Sequence, residues 1–137
     1  MRTMRARLAV SVAGLGLFLA AAPALAHHSF FSEFDANQPV KLTGTVTKVE
    51  WQNPHTWFYI DVKDETGRVT NWGMEMGSPN LLMRIGWTRN AMKIGDVVIV
   101  EASRAKDGSN IGNAKAVILA STGQRLFAGS SQGQPSR

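Results

Sequence analysis

The stretch Glu50-Trp51-Gln52-Asn53-Pro54-His55-Thr56-Trp57-Phe58-Tyr59-Ile60 decides how this chain folds. Asn53-Pro54 is a chain-reversal dipeptide, because proline fixes its own φ and steers the preceding residue away from helix. Beyond it, Thr56, Phe58, Ile60 and Val62 fall on one face of a strand, with His55, Trp57, Tyr59 and Asp61 on the other. The first face is apolar and belongs to a core. The second carries an imidazole, two large rings and a carboxylate, which is the mixture a binding surface presents.

Working outward, Val40 to Trp51 alternates as a strand, with Leu42 and Val46 inward and Lys41, Thr43, Thr45 and Thr47 outward. Val49 and Trp51 break that parity, which predicts a bulge at Gly44 or at Lys48–Val49. Asp35 to Pro39 reads as the turn before it. Downstream, Asp64-Glu65-Thr66-Gly67 closes a hairpin onto a third strand, Arg68 to Met76, carrying Val69, Trp72, Met74 and Met76. Ser78-Pro79 reads as N-cap and first helical residue, Leu81, Leu82 and Ile85 as an apolar stripe, and Gly86 as the stop. Trp87 to Met92 is expected to add a second small helical turn. Reversals at Lys93–Asp96 and Lys106–Ser109 separate strands Val97–Ala102, Asn113–Ala120 and Arg125–Phe127.

Three strands, a short helix and two or three more strands give an all-β chain with one short helix. The expected architecture is an OB-fold-like antiparallel Greek-key barrel of five to six strands. An immunoglobulin-like sandwich is the competing arrangement, but it has no natural place for the Ser78–Ile85 helix. Val46, Phe58, Ile60, Val62, Leu82, Val98 and Val100 should be mostly buried.

The termini bear on compartment. A basic start (Arg2, Arg5, Arg7), an apolar run from Leu8 to Ala22 and Pro23-Ala24-Leu25-Ala26 have the anatomy of a cleaved signal peptide over residues 1–26. The run is shorter than the roughly 20 residues a spanning helix needs, so no membrane span is expected after cleavage. Periplasmic or secreted localisation follows. A single domain over 27–128, with an N-terminal arm 27–39, and a disordered tail 129–137 complete the expected layout. Three of the 15 Lys and Arg, and none of the 10 Asp and Glu, lie in the leader, leaving 12 − 10 = +2. That balance argues against nucleic acid. The chain has no cysteine, which excludes disulfides and thiolate chemistry.

Several segments together carry a likeness. They are His27-His28-Ser29-Phe30, Gly44-Thr45-Val46-Thr47-Lys48-Val49-Glu50-Trp51 leading into Asn53-Pro54-His55, and Trp72 ahead of Ser78-Pro79-Asn80-Leu81-Leu82. Gly86-Trp87-Thr88, Lys93-Ile94-Gly95-Asp96-Val97 and Ala105-Lys106-Asp107-Gly108-Ser109 extend it. Together they resemble a family of small exported bacterial proteins classed as a domain of unknown function. The resemblance implies export and a single domain, and it supplies no catalytic residues.

All three histidines lie in these segments. A mature chain beginning at His27 offers an amine and an imidazole as a chelate, and His28 or His55 completes the nitrogen-rich set copper(II) prefers. Cleavage after Ala24 would instead start Leu25-Ala26-His27, which also suits copper(II). Glu33, Glu50 or Glu75 is placed to add an oxygen. The alternative is a non-catalytic recognition module, in which Trp51, Trp57 and Tyr59 stack on a peptide, a glycan or a protein partner. Catalysis is not expected. His55 with Asp61 or Glu50, and Ser29 beside His28, match no nucleophile context such as G-x-S-x-G. The sequence thus points to an exported binding protein, with copper the leading specific ligand and a small molecule or periplasmic protein as partner.

Overall fold

β1 spans Phe34–Glu50, 17 residues, and it is long because it serves two neighbours. Its first part pairs with β4 (Val97–Ala105), from Pro39↔Ser103 to Thr45↔Val97, and its end pairs with β2 (Trp57–Lys63), from Thr45↔Asp61 to Glu50↔Trp57. The computed structural model describes residues 29–129. Within that span the order is α1 (Ser29–Glu33), β1, β2, β3 (Val69–Glu75), α2 (Pro79–Arg84), β4, β5 (Ile111–Leu119) and β6 (Arg125–Phe127). The sheet runs β3-β2-β1-β4-β5-β6, and a parallel β3–β5 pairing joins its ends. Five strands thereby form a barrel-like ring, with β6 hanging antiparallel on β5. Ring order and helix position agree with the OB-like expectation.

The interior follows from strand alternation. Val46, Phe58, Ile60, Met74, Val98, Val100 and Val117 are at most 1 % exposed and fill the ring. Trp72 and Trp87 are buried in the same cluster. α2 closes one end. Ser78 caps it by accepting the Leu81 N–H on Oγ at 3.3 Å, Pro79 opens it, and Leu82 drives fully into the core. Gly86 follows at φ 110°, a conformation that suits glycine at a helix end.

The structure corrects several details. The register shift in β1 lies between Val46 and Lys48, so Thr47 is the extra residue rather than Gly44 or Lys48–Val49. The residues expected as a turn, Asp35–Pro39, belong to β1, which starts at Phe34 and is irregular between Phe34 and Pro39; there Asp35 accepts from the Asn37 N–H and the Gln38 side chain. Trp87–Met92 is not helical. Trp87 is held by its buried ring, whose Nε1–H donates to the Phe127 carbonyl at 2.8 Å, and that geometry needs no helix. Val69 is 54 % exposed and Val62 half-buried, because the β2–β3 hairpin projects beyond the core. The Asn53–Pro54 peptide is cis.

A helix not expected from the sequence, α1, sits on the outside of the ring. Phe30 in α1 and Phe34 at the start of β1 stack with ring centres 5.7 Å apart. With Ala105 they make a small second core. The Lys106 N–H donates to the Glu33 carbonyl at 2.8 Å, and the Lys106 ammonium donates to the Phe31 carbonyl. Among the described residues no helix is long and apolar enough to cross a membrane. The expected leader (1–26), the start of the arm with His27 and His28, and all of the expected tail except Gly129 lie outside the described residues. Gly129 itself packs beside Leu81 and Leu82.

Candidate functional site

Because Phe58 and Ile60 point inward, Trp57 and Tyr59 must point out, and both are half-buried. On β3 their direct neighbours are Glu75 and Gly73. A Cβ at Gly73 would lie 3.2 Å from Tyr59 Cε1 and 3.7 Å from Trp57 Cζ3, so both rings lean over the space glycine leaves. The Tyr59 hydroxyl donates to Glu50 Oε2 at 3.3 Å. Lys48 pairs with Glu50 and stands 5.3 Å from the Tyr59 ring centre. The Lys48 hydrogen bond holds the Glu50 carboxyl below its usual range, while burial and then Glu50 push the Tyr59 phenol up. Glu50 is therefore an anion at neutral pH.

These rings floor an open groove of about 420 Å³. Its walls are Glu50 from β1, Gln52 from the β1–β2 loop, Asn71 from β3, and Asn110 with Ile111 where the β4–β5 loop enters β5. The loop is fixed there by the Gly73 N–H donating to the Asn110 carbonyl at 3.0 Å. Asn71 spends its amide nitrogen on Asp61 Oδ1 at 2.8 Å and on Thr47 Oγ1 at 3.2 Å.

At one end of the groove, beside Trp57, lies an ionisable pair. His55 Nδ1 contacts Glu75 Oε1, and Glu75 is 6 % exposed. Burial pushes the Glu75 carboxyl up and Glu33 adds to this, while His55 opposes both. Glu75 heads a lateral row with Asn113 and Ser103, both buried. Asn113 Oδ1 and Thr56 Oγ1 are each buried without a hydrogen-bond partner among the described residues.

The structure thus brings Trp57 and Tyr59 into one groove and sets His55 at its end. Trp51 is half-buried against the main core and is not part of the groove lining. Glu75 stands with His55, whereas Glu50 and Asp61 have other partners. His27 and His28 fall outside the described residues. Among the described residues no group of three or more His, Asp or Glu is arranged to hold a metal ion. Sequence reasoning missed Gln52, Asn71, Gly73 and Asn110. Asn71 and Gly73 were readable from the inward parity of Trp72 and Met74. Asn110 was not, since its place depends on the β3–β5 closure.

Fold and groove define a small OB-like β domain with an aromatic-floored surface site. The family model described as "Family of unknown function (DUF6152)" matches residues 15–114, and the chain belongs to that family. No curated protein and no solved structure matches it.

Proposed function

We propose that this is a small exported binding protein, not an enzyme, whose ligand lies in the groove over Trp57 and Tyr59. The observation that carries this reading is the convergence on those β2 rings of β1, β3, the β1–β2 loop and the β4–β5 loop where it enters β5. In OB-folds the face of strands two and three, with those two loops, is the usual binding surface. This is analogy from the fold, supported here by the groove's own geometry. Rings kept for a ligand contribute less to stability than rings kept for a core. Trp57→Ala should therefore cost clearly less than the roughly 3–5 kcal/mol of a truncated core aromatic, and Trp72→Ala should reach that range. Equal losses in chemical denaturation would make Trp57 a core residue and remove the reading. Export predicts an N-terminus at His27 or Leu25 in protein recovered from the periplasm.

A copper(II) site is the second reading, and the His55–Glu75 contact favours it. A carboxylate on Nδ1 keeps the ring proton there and leaves the Nε2 lone pair outward, the arrangement that orients metal-bound histidines. The His55 side chain is 41 % exposed. His27 and His28 immediately precede α1, whose Glu33 lies within electrostatic reach of Glu75. In this reading the mature amine, the His27 ring and His55 share the ion, and Glu75 positions His55. In a copper titration of processed protein, His55→Ala and a variant with one residue added before His27 should each bind at least about tenfold more weakly. Parent-like affinity in His55→Ala would leave only the ordinary chemistry of an N-terminal histidine.

A further inference from the structure

We infer that the groove over Trp57 and Tyr59 takes a neutral sugar ring, as a short oligosaccharide, rather than a nucleotide, an anionic metabolite or an extended peptide; this rests on the groove reading above. Three features of the site select the class.

The first is charge. The groove's walls carry one carboxylate, Glu50, and no cation. Lys48, outside the lining, is paired with Glu50 and stands over the Tyr59 ring. A phosphate or carboxylate entering here would meet Glu50 with no counter-charge facing it, and single-stranded nucleic acid needs a positive groove beside its stacking rings.

The second is the polar complement. Gln52 and Asn110 offer side-chain amides with no hydrogen-bond partner among the described residues, and Asn71 keeps its Oδ1 free. Amide and carboxylate oxygens accept from hydroxyls, and amide nitrogens donate to them. Such groups around two flat rings match a pyranose, whose C–H face is apolar and whose rim is all hydroxyl.

The third is the backbone. A peptide bound by strand addition needs an open strand edge. At the groove β3 and β5 pair with each other through Gly73↔Ile111, and the Gly73 N–H is already used. Recognition must come from side chains. The volume of about 420 Å³ sits at the small end of the roughly 300–1,000 Å³ typical of ligand sites, enough for one or two rings.

The test follows the Gly73 and Asn110 amide resonances of the processed protein, with its C-terminus intact. Probes are maltotriose, cellotriose and triacetylchitotriose, with glucose 6-phosphate and N-acetyl-triglycine amide for comparison. At least one trisaccharide should shift both signals with a Kd of about 1 mM or tighter, and glucose 6-phosphate should not. Trp57→Ala and, independently of any folding defect in it, Gln52→Ala should each weaken that saccharide at least about tenfold. If the peptide or the phosphate moves these signals and no saccharide does, the ligand class is wrong while the groove reading stands. If no probe moves them, both fail.

Discussion

At Gly44 the sheet leaves no room for a methyl group. A Cβ built there would lie 2.7 Å from the Asp61 carbonyl oxygen and 3.1 Å from Ile60 Cβ. The neighbour is backbone, so it cannot swing aside as a flexible side chain would. Gly44 pairs with Val98, one residue before Thr45, which pairs with both β4 and β2. The close approach is thus where one long strand is handed from one neighbour to the other. Gly44→Ala should cost about 1–3 kcal/mol, the usual range for forcing atoms into a packed site. Exposed Thr43→Ala, one residue away, should stay within about 0.5 kcal/mol. Denaturant midpoints of the two variants decide the matter, and equal midpoints would mean that β1 and β2 yield freely. The sequence marked Gly44 as special but for a bulge, because spacing alone does not distinguish a glycine that bends a strand from one that another strand approaches.

Among the elements, those with a local cause were legible. Alternation placed β2, β3, β4 and β5 and put Trp57 and Tyr59 outside, and Ser78-Pro79 with Gly86 set both ends of α2. β6 was placed at its observed bounds. The parity break after Val46 was visible as well, and Thr47 explains it as one extra residue in β1. What escaped was fixed by partners far away in the chain. α1 is a single turn held by Ala105 and Lys106, which the local string Ser29-Phe30-Phe31-Ser32-Glu33 does not announce. Trp87 is fixed by the Phe127 carbonyl, 40 residues on, so its segment has no reason to be helical. The site divides the same way. Its floor lies on one strand and could be read, whereas its far wall, Asn110 and Ile111, exists only because β3 meets β5.

At the scale of the molecule, the described residues form two apolar clusters of very different size. The ring interior is one; Phe30, Phe34 and Ala105 outside it are the other. The strand register changes between Phe34 and Pro39, so the arm is joined to the sheet through an irregular stretch of β1 rather than by an unbroken ladder. Structures built this way open piecewise, and each unit has its own opening free energy. The arm should therefore undock before the ring unfolds. Two amides report on the two units: Lys106, bonded to the Glu33 carbonyl, and Val46, bonded to the Asp96 carbonyl at 2.8 Å inside the ring assembly. In native-state hydrogen exchange Lys106 should open at lower free energy than Val46. Phe30→Ala removes a ring that is 5 % exposed and should lower Lys106 protection by roughly 3 kcal/mol, about two orders of magnitude. Val46 protection should change much less. An equal fall at both amides would mean that arm and ring form one cooperative unit. The distinction bears on function, since Glu33 in the arm and Glu75 at the end of the groove influence each other. An arm that opens alone would change the surroundings of His55 and Glu75 while leaving the floor of Trp57 and Tyr59 in place.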